Sequence, residues 1–263
     1  MRALLATLFL ALTSSCVSIR EPRLALPPSE PATLVEFSYS DWASVLERHV
    51  DDQGLVDYEG LAAARTALDR FLALLAVVGP GTRPDLFPTR EDRLAYYLNA
   101  YNACVIAEVL ERWPLASVED VKLGFFYLAR YRIDGSPISL YDLENDVVRA
   151  IFGEPRAHFA LNCASLGCPK LPREPFLGPR LEAQLAREST RFLQEARNVE
   201  RAPENVLVLS QIFEWFDEDF SPSPLAWLRA QAPDLDLPAT VRVRFRPWDW
   251  RINAQRLDPH DPR

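Results

Sequence analysis

At the centre of the chain lies the stretch His158-Phe-Ala-Leu-Asn-Cys-Ala-Ser-Leu-Gly-Cys-Pro169, which brings an imidazole, an amide, a hydroxyl and two thiols into one short segment. The chain contains 3 histidines, and the other two lie in an amphipathic segment (His49) and in a polar C-terminal stretch (His260). Chemistry that needs an imidazole is therefore expected at His158. The apolar residues around it predict a buried strand over residues 157–162, followed by an irregular loop that holds both cysteines.

The N-terminal residues predict export. Residues 1–15 carry one positive charge, then a continuous apolar run and then small residues, which is the pattern of a secretory signal peptide. The segment Thr13-Ser-Ser-Cys16 resembles the cleavage box of a bacterial lipoprotein, although Thr13 stands where leucine is usual. We therefore expect an exported protein anchored to a membrane of the bacterial cell envelope through a lipid on Cys16. Ordinary signal cleavage, which would give a soluble periplasmic or secreted protein, is the alternative.

Composition and charge restrict the class of protein. Hydrophobic residues make up 48% of the chain, a share that argues against disorder. A net charge of −8 argues against nucleic acid as a partner. We predict a lipid-anchor site with a proline-rich tether over residues 16–39, a single folded domain over residues 40–252 and a polar tail over residues 253–263.

Hydrophobic periodicity and turn signals predict a mixed fold. Apolar residues recur at helical spacing in seven segments, namely residues 41–50, 61–78, 90–113, 140–151, 181–197, 211–220 and 224–231. Strand signals occur at residues 125–133 and 138–140, on either side of the turn Asp134-Gly135, and at residues 206–209 and 241–246. The sequence therefore predicts an α+β domain, helix-rich in its first half, with a small mixed or antiparallel sheet.

Several short motifs occur together and in a fixed order. They are Leu98-Asn-Ala-Tyr-Asn102, Ile138-Ser-Leu-Tyr-Asp-Leu-Glu144, His158-Phe-Ala-Leu-Asn-Cys-Ala-Ser165, Gly167-Cys-Pro169, Ser210-Gln-Ile-Phe-Glu-Trp-Phe216 and Asp219-Phe220. In this combination the chain resembles domain-of-unknown-function family 547, which is common in bacterial secreted proteins and also occurs in plants. The resemblance spans roughly residues 40–252 and implies a shared fold unit without an established activity. The family typically has a histidine after the helix glutamate, where this chain has Asn145.

One interpretation of the central stretch is a thiol enzyme. A cysteine beside an imidazole is the nucleophile arrangement of thiol hydrolases and transferases, so Cys163 and His158 are the candidates. A third group would orient the imidazole; Glu144 on the preceding helix is the first candidate, and Asn99 or Asn102 is the alternative. The chain would then be a cysteine hydrolase or acyl transferase that acts on amide or ester bonds of an unknown envelope substrate.

The other interpretation is structural. Exported proteins form disulfides, and a Cys163–Cys168 bridge would leave neither sulfur as a nucleophile. The chain would then be a non-catalytic domain that binds an envelope partner. A metal site is not expected, because the cysteine spacing is not the usual zinc spacing and a fourth ligand is not evident; no cofactor is expected either. Ser165 lacks the glycine-flanked nucleophile pattern and is expected only to line a pocket.

Two further groups of residues leave alternatives open. Asn99 and Asn102 share a helix face and either line the pocket or, as we prefer, bridge backbone groups inside the core. Trp215 and Phe216 can stack on a sugar or another flat ligand, but the helical spacing of Phe213, Phe216 and Phe220 favours core packing. The acidic residues near them are expected to be solvated surface.

Overall fold

The computed structural model describes residues 17–24, 37–235, 237–238 and 240–255. The expected signal peptide, Cys16 and His260 lie outside these residues. Within the described part of the chain, none of the helices combines the length and apolar character needed to cross a bilayer.

Helices account for most of the regular structure. The α-helices are α1 (Ser40–His49), α2 (Tyr58–Ala63), α3 (Thr66–Val77), α4 (Arg90–Leu110), α5 (Leu140–Asp142), α6 (Ala150–Phe152), α7 (Leu181–Gln194), α8 (Ile212–Trp215) and α9 (Pro224–Gln231). The wider π-helical segments are Leu123–Leu128 and Leu143–Arg149, the second of which joins α5 to α6. The tighter 3₁₀ turns are Pro84–Leu86, Glu119–Val121, Pro155–Phe159, Gly178–Arg180, Asp217–Asp219 and Pro233–Leu235.

Two small mixed sheets complete the fold. The strands are β1 (Ser18–Arg20), β2 (Ala129–Ile133), β3 (Ser136–Ser139), β4 (Val199–Ala202), β5 (Val206–Ser210) and β6 (Arg242–Arg246). In the first sheet β2 pairs in parallel with β1 and antiparallel with β3. In the second sheet β5 pairs antiparallel with β4 and in parallel with β6. The predicted α+β class is confirmed.

The core is built around α4. Thr89 accepts a hydrogen bond from the backbone of Asp92, whose carboxylate bonds back to Thr89, and this capping box fixes the start of the helix. From Leu94 to Val109 all side chains of α4 except the half-buried Tyr97 are buried, so the helix contacts neighbours on all sides. A second, smaller cluster of aromatic side chains packs under the second sheet, where Phe159 stacks on Phe192.

The predicted strand over residues 157–162 is wrong. Pro155–Phe159 forms a 3₁₀ turn instead, because Glu154 caps the backbone N–H of Arg156 and proline is favourable in the first turn of a helix. After the turn, Asn102 of α4 accepts from the backbone N–H of Asn162 and donates to the carbonyl of Ala160. This side-chain amide satisfies backbone groups that a neighbouring strand would otherwise have paired.

Residues 18–20, in the first part of the predicted tether, form strand β1. β1 lies against β2, and Arg20 at its end forms an ion pair with the buried Glu108 of α4. Residues 25–36, which hold most of the prolines of the expected tether, lie outside the described residues.

Candidate functional site

A cleft of about 420 Å³ lies beside the central stretch. Aromatic side chains form much of its wall: Tyr127, Tyr141, Trp215, Phe216, Trp248 and Trp250. This volume lies within the range of small-molecule binding pockets, which are mostly apolar with a few polar groups that fix orientation.

Both π-helical segments border this cleft. Leu123–Leu128 contributes Phe126 and Tyr127, and Leu143–Arg149 contributes residues that include Glu144. Hydrogen bonds from residue i to i+5 widen a helical turn and change the direction of its side chains, and such segments are frequent at functional sites. Both π-helical segments of the described residues therefore contribute side chains to the lining of the cleft.

His158 is bound by Asp219, an acid that lies 61 positions later in the chain. Its ring is buried, lines the cleft and places Nε2 2.7 Å from Oδ2 of Asp219. Phe216 stacks on the imidazole with ring centroids 4.2 Å apart. An ionised carboxylate only accepts hydrogen bonds, so Asp219 fixes the proton of a neutral His158 on Nε2 and leaves Nδ1 as the basic nitrogen.

Arg149 reinforces this pair from the neighbouring helical segment. Its Nε donates to Oδ2 of Asp219 over 2.6 Å, and a second guanidinium nitrogen pairs with Glu218 at 2.8 Å. The guanidinium also lies 4.7 Å from the centre of the Phe216 ring, within the range of a cation–π contact. Asn145, which stands where the family usually has histidine, accepts a further hydrogen bond from Arg149.

The two carboxyl groups near His158 have opposite pKa shifts. Partial burial disfavours the charge of Asp219, but hydrogen bonds from His158 and Arg149 outweigh it and lower the pKa to about 2. Burial raises the pKa of Glu144, and the charge of His158 and the hydroxyl of Tyr101 oppose this only in part. His158, which lines the cleft, is therefore bound by a carboxylate that stays ionised, whereas the lining residue Glu144 holds its proton more readily.

The predicted disulfide is confirmed. Cys163 and Cys168 are bonded, with Cα atoms 6.1 Å apart, and both residues line the cleft. The backbone N–H of Cys163 also points to the sulfur of Cys168 at 2.9 Å. A bonded sulfur is not a thiolate, so Cys163 in this state lacks the nucleophile that the thiol-enzyme interpretation requires.

Ser165 links the disulfide to the aromatic wall. Its hydroxyl oxygen lies 3.2 Å from each sulfur and accepts a hydrogen bond from Nε1 of Trp248 over 2.9 Å. Gly167 lies directly under the same indole ring, and a Cβ atom there would stand 2.7 Å from it. Ser165 itself is buried behind the wall and is not among the lining residues.

The amides of α4 lie in the core and do not line the cleft. Asn99 accepts from the indole of Trp42 and exchanges hydrogen bonds with the backbone of Phe176. Asn102 bridges the backbone between Ala160 and Asn162, as described above. Asn102 therefore positions the central stretch and Asn99 positions the backbone at Phe176, and neither amide is directed at a ligand, which is the alternative that the sequence favoured.

The orienting acid differs from the one proposed from sequence. Glu144 does line the cleft, but its hydrogen bond goes to the hydroxyl of Tyr101 at 3.1 Å. The imidazole of His158 is instead bound by Asp219, which the sequence interpretation had assigned to solvated surface. The motif Asp219-Phe220 marked Asp219 in the sequence. Its contact with His158, 61 positions earlier, depends on how the chain folds and could not be derived from the spacing of residues along a helix.

Sequence reasoning also missed part of the cleft wall. Trp248 and Trp250 are not among the site residues predicted from sequence, yet both line the cleft together with Trp215. The Nζ atom of Lys122 lies 4.3 Å from the ring centre of Trp250 and adds a cationic group at the same place. Among the described residues, no group of three or more His, Cys, Asp or Glu side chains is arranged to hold a metal ion.

Comparison with known proteins gives one finding. Searches of curated proteins and of solved structures give no match. A family model described as "Protein of unknown function, DUF547" matches residues 86–193, a range that includes α4, Glu144, His158 and both bridged cysteines. Asp219 and the tryptophans of the cleft lie beyond the matched range. Residues 86–193 therefore match the model of domain-of-unknown-function family 547, the family that the motifs of the chain resemble.

Proposed function

We propose that this domain is a binding module of the bacterial cell envelope, and that its ligand occupies the aromatic cleft. The proposal rests on one observation: aromatic side chains form the wall of the cleft, and the two cysteines beside them are bonded as a disulfide. Trp215, Trp248 and Trp250 present ring surfaces to one space, while the two sulfurs beside it are bonded to each other.

The chemistry of the wall favours a ligand with flat apolar faces and hydroxyl groups, such as the sugar units of an envelope glycan. Indole and phenol rings pack against the C–H faces of a sugar while its hydroxyls reach polar groups at the edge. Glu144, Asn145 and Lys122 line the cleft and supply an acceptor, an amide and a cation. The proposed interaction thus combines stacking with a small number of hydrogen bonds.

Titration with a soluble oligomer of β-1,4-linked N-acetylglucosamine, followed by calorimetry, tests this proposal. Trp215 lines the cleft and is 42% exposed. Phe245 is 37% exposed and is not a lining residue, which makes it a matched control. We expect Trp215→Ala to weaken binding by about fivefold, since a lost aromatic contact costs on the order of 1 kcal/mol. Phe245→Ala should bind like the parent protein; equal loss in both variants, or no binding by the parent, would count against the glycan proposal.

Export and lipidation of Cys16 are part of the same proposal. They are supported by the sequence of residues 1–16, which has the charge, apolar run and small residues of a lipoprotein signal. Mass spectrometry of the membrane fraction should find a mature chain that begins at an acylated Cys16. A mature chain that starts after Cys16, or keeps residues 1–15, would contradict it.

Thiol chemistry after reduction is a second candidate. It is favoured by one observation: Cys163, His158 and Glu144 line the same cleft, and Asp219 already holds the imidazole. Reduction by a dithiol would free the Cys163 thiol in the same cleft as the imidazole of His158, the pair of groups that a cysteine hydrolase or acyl transferase uses. A p-nitrophenyl ester should then be cleaved only by reduced protein and not by Cys163→Ser. Equal rates for oxidised, reduced and Cys163→Ser protein would eliminate this candidate.

A further inference from the structure

The chain next to the proposed anchor is fixed to the domain. β1 begins at Ser18, and its register with β2 pairs Ser18 with Ala129 and Arg20 with Tyr131. Only Val17 separates Cys16 from β1, so a lipid on Cys16 would be attached two residues before the strand begins.

Ion pairs hold this segment in addition to the strand pairing. Arg20 binds Glu108 through two nitrogens, at 3.0 and 3.1 Å, and Glu108 is fully buried. Tyr131 donates to the same carboxylate over 2.7 Å. A bidentate guanidinium–carboxylate pair with a buried partner restricts orientation as well as distance. The proposed anchor is therefore followed by a fixed strand before the proline-rich segment begins.

The strand directions place the anchor and the cleft at the same end of the first sheet. β1 and β2 are parallel, so the start of β1 lies beside the start of β2, which follows Tyr127 by two residues. β3 is antiparallel to β2 and pairs Ser139 with Arg130, so it ends at that same edge, two residues before Tyr141. Tyr127 and Tyr141 stack with ring centroids 4.6 Å apart and line the cleft.

This end of the sheet also exposes apolar side chains. Leu123, in the π-helical segment that leads into β2, is 64% exposed. Val17, Ile19, Tyr127 and Tyr141 are exposed as well. Leu123 and Tyr127 border one surface pocket, and Tyr127 stacks on Tyr141. Exposed apolar residues that lie together in this way mark contact surfaces, and tyrosine is favourable at the level of lipid headgroups.

We infer that this end of the first sheet, defined by Val17, Leu123, Tyr127 and Tyr141, contacts the lipid bilayer and turns the mouth of the cleft toward the membrane surface. The inference rests on the lipid anchor at Cys16 given under the proposed function. The short, strand-bound connection leaves the domain little freedom to turn another face to the bilayer. The ligand class is thereby narrowed to molecules at the membrane surface, such as sugar-bearing lipid headgroups or glycan that lies against the bilayer.

Site-specific fluorescence on the lipidated full-length protein tests the inference. Leu123→Cys is the probe variant, and Ile151→Cys is the matched control, because Ile151 is 67% exposed and lies ten residues, or about 15 Å of helix, beyond Tyr141. Cys104 is buried and Cys163–Cys168 is bridged, so the introduced thiol is the reactive one of the domain. Each variant carries a polarity-sensitive fluorophore and is reconstituted in vesicles of phosphatidylethanolamine and phosphatidylglycerol.

Nitroxide attached to the lipid headgroups should quench the probe at position 123 at least twofold more strongly than the probe at position 151. Equal quenching at the two positions would overturn the inference, and so would a mass spectrum without a lipid on Cys16. Glycan binding is measured separately on soluble Cys16→Ser protein. Failure of the membrane contact is therefore distinguishable from failure of the cleft as a binding site.

Discussion

At the scale of single residues, the two carboxyl groups near His158 differ in how readily they lose their proton. Asp219 accepts from both His158 and Arg149 through the same oxygen, so its ionised form is stabilised in the folded protein. Glu144 is hydrogen-bonded by Tyr101 but is more strongly affected by burial. Ionisation of Asp219 therefore stabilises the folded protein, whereas ionisation of Glu144 destabilises it.

The first prediction concerns Asp219. Because its folded pKa is lowered to about 2, its ionised form stabilises the protein above the unfolded pKa of about 3.9, and this stabilisation is lost as the pH falls toward 2. Asp219→Asn keeps a hydrogen-bond acceptor for His158 but removes the charge. We expect the variant to be less stable by about 2 kcal/mol at neutral pH, since a shift of two pKa units corresponds to about 2.7 kcal/mol and the group is partly exposed. Urea unfolding between pH 2 and pH 7 measures this; a stability difference that does not narrow at low pH would contradict it.

Glu144 gives the opposite pH dependence. Burial raises its folded pKa above the unfolded value, so the cost in stability is absent below the unfolded pKa, grows as the pH rises from there to the raised pKa, and is complete above it. Glu144→Gln should therefore be more stable than the parent at neutral pH. This gain should disappear on acidification below about pH 4. The same unfolding series checks it, and a variant that is less stable than the parent at pH 7 would show that the carboxylate is needed as an ion.

At the scale of elements, the loop from Cys163 to Cys168 forms one wall of the cleft. The disulfide closes it, Ser165 connects it to Trp248, and the backbone N–H of Gly167 donates to the carbonyl of Asp249 over 2.8 Å. The loop therefore orders the last described segment of the chain as well as its own residues.

Removal of the disulfide should loosen this wall. Replacing Cys163 and Cys168 together with alanine removes a short covalent loop, for which chain entropy gives a loss of about 2 kcal/mol. Tryptophan emission should shift to longer wavelength, because the loop no longer holds Trp248. Cys104→Ala is the control: Cys104 is buried in α4, so it should lose on the order of 1 kcal/mol through packing without the spectral change. Unchanged emission in the double variant would show that the bridge does not organise the wall.

Local sequence signals predicted most elements but not the central one. Helix α4 and the turn at Asp134-Gly135 follow from apolar periodicity and turn chemistry, which are properties of neighbouring residues. The predicted helix over residues 61–78 is divided into α2 and α3. The strand predicted over residues 157–162 failed because the amide of Asn102, distant in sequence, satisfies its backbone. Tertiary hydrogen bonds of this kind leave no periodic signal.

At the scale of the whole molecule, the cleft combines groups from distant parts of the chain. The paired cysteines were recognisable because they stand five positions apart. The contact between His158 and Asp219 joins the central stretch to the region of the second sheet, and Trp250 reaches the cleft from the last described segment. Such contacts depend on how the elements pack, so they could not be derived from spacing along the chain.

The N-terminal strand gives a prediction at this scale. Arg20→Gln removes the bidentate partner of the buried Glu108, so β1 should open more often and its backbone amides should exchange hydrogen faster. Arg23→Gln is the matched control, because the pair of Arg23 with Glu111 is more exposed and exposed pairs contribute little. Hydrogen exchange followed by mass spectrometry measures both. Equal exchange in the two variants would show that Arg20 does not hold the strand.

The central claim is that the cleft is a binding site walled by a disulfide, and a thiol count on the purified protein tests it most directly. Alkylation in denaturant without reductant, followed by peptide mass spectrometry, reports the state of Cys104, Cys163 and Cys168. We predict that Cys104 alone is alkylated, and that the other two are alkylated only after reduction. Native protein in which Cys163 is already free and is alkylated before unfolding would contradict the account and favour a thiol enzyme.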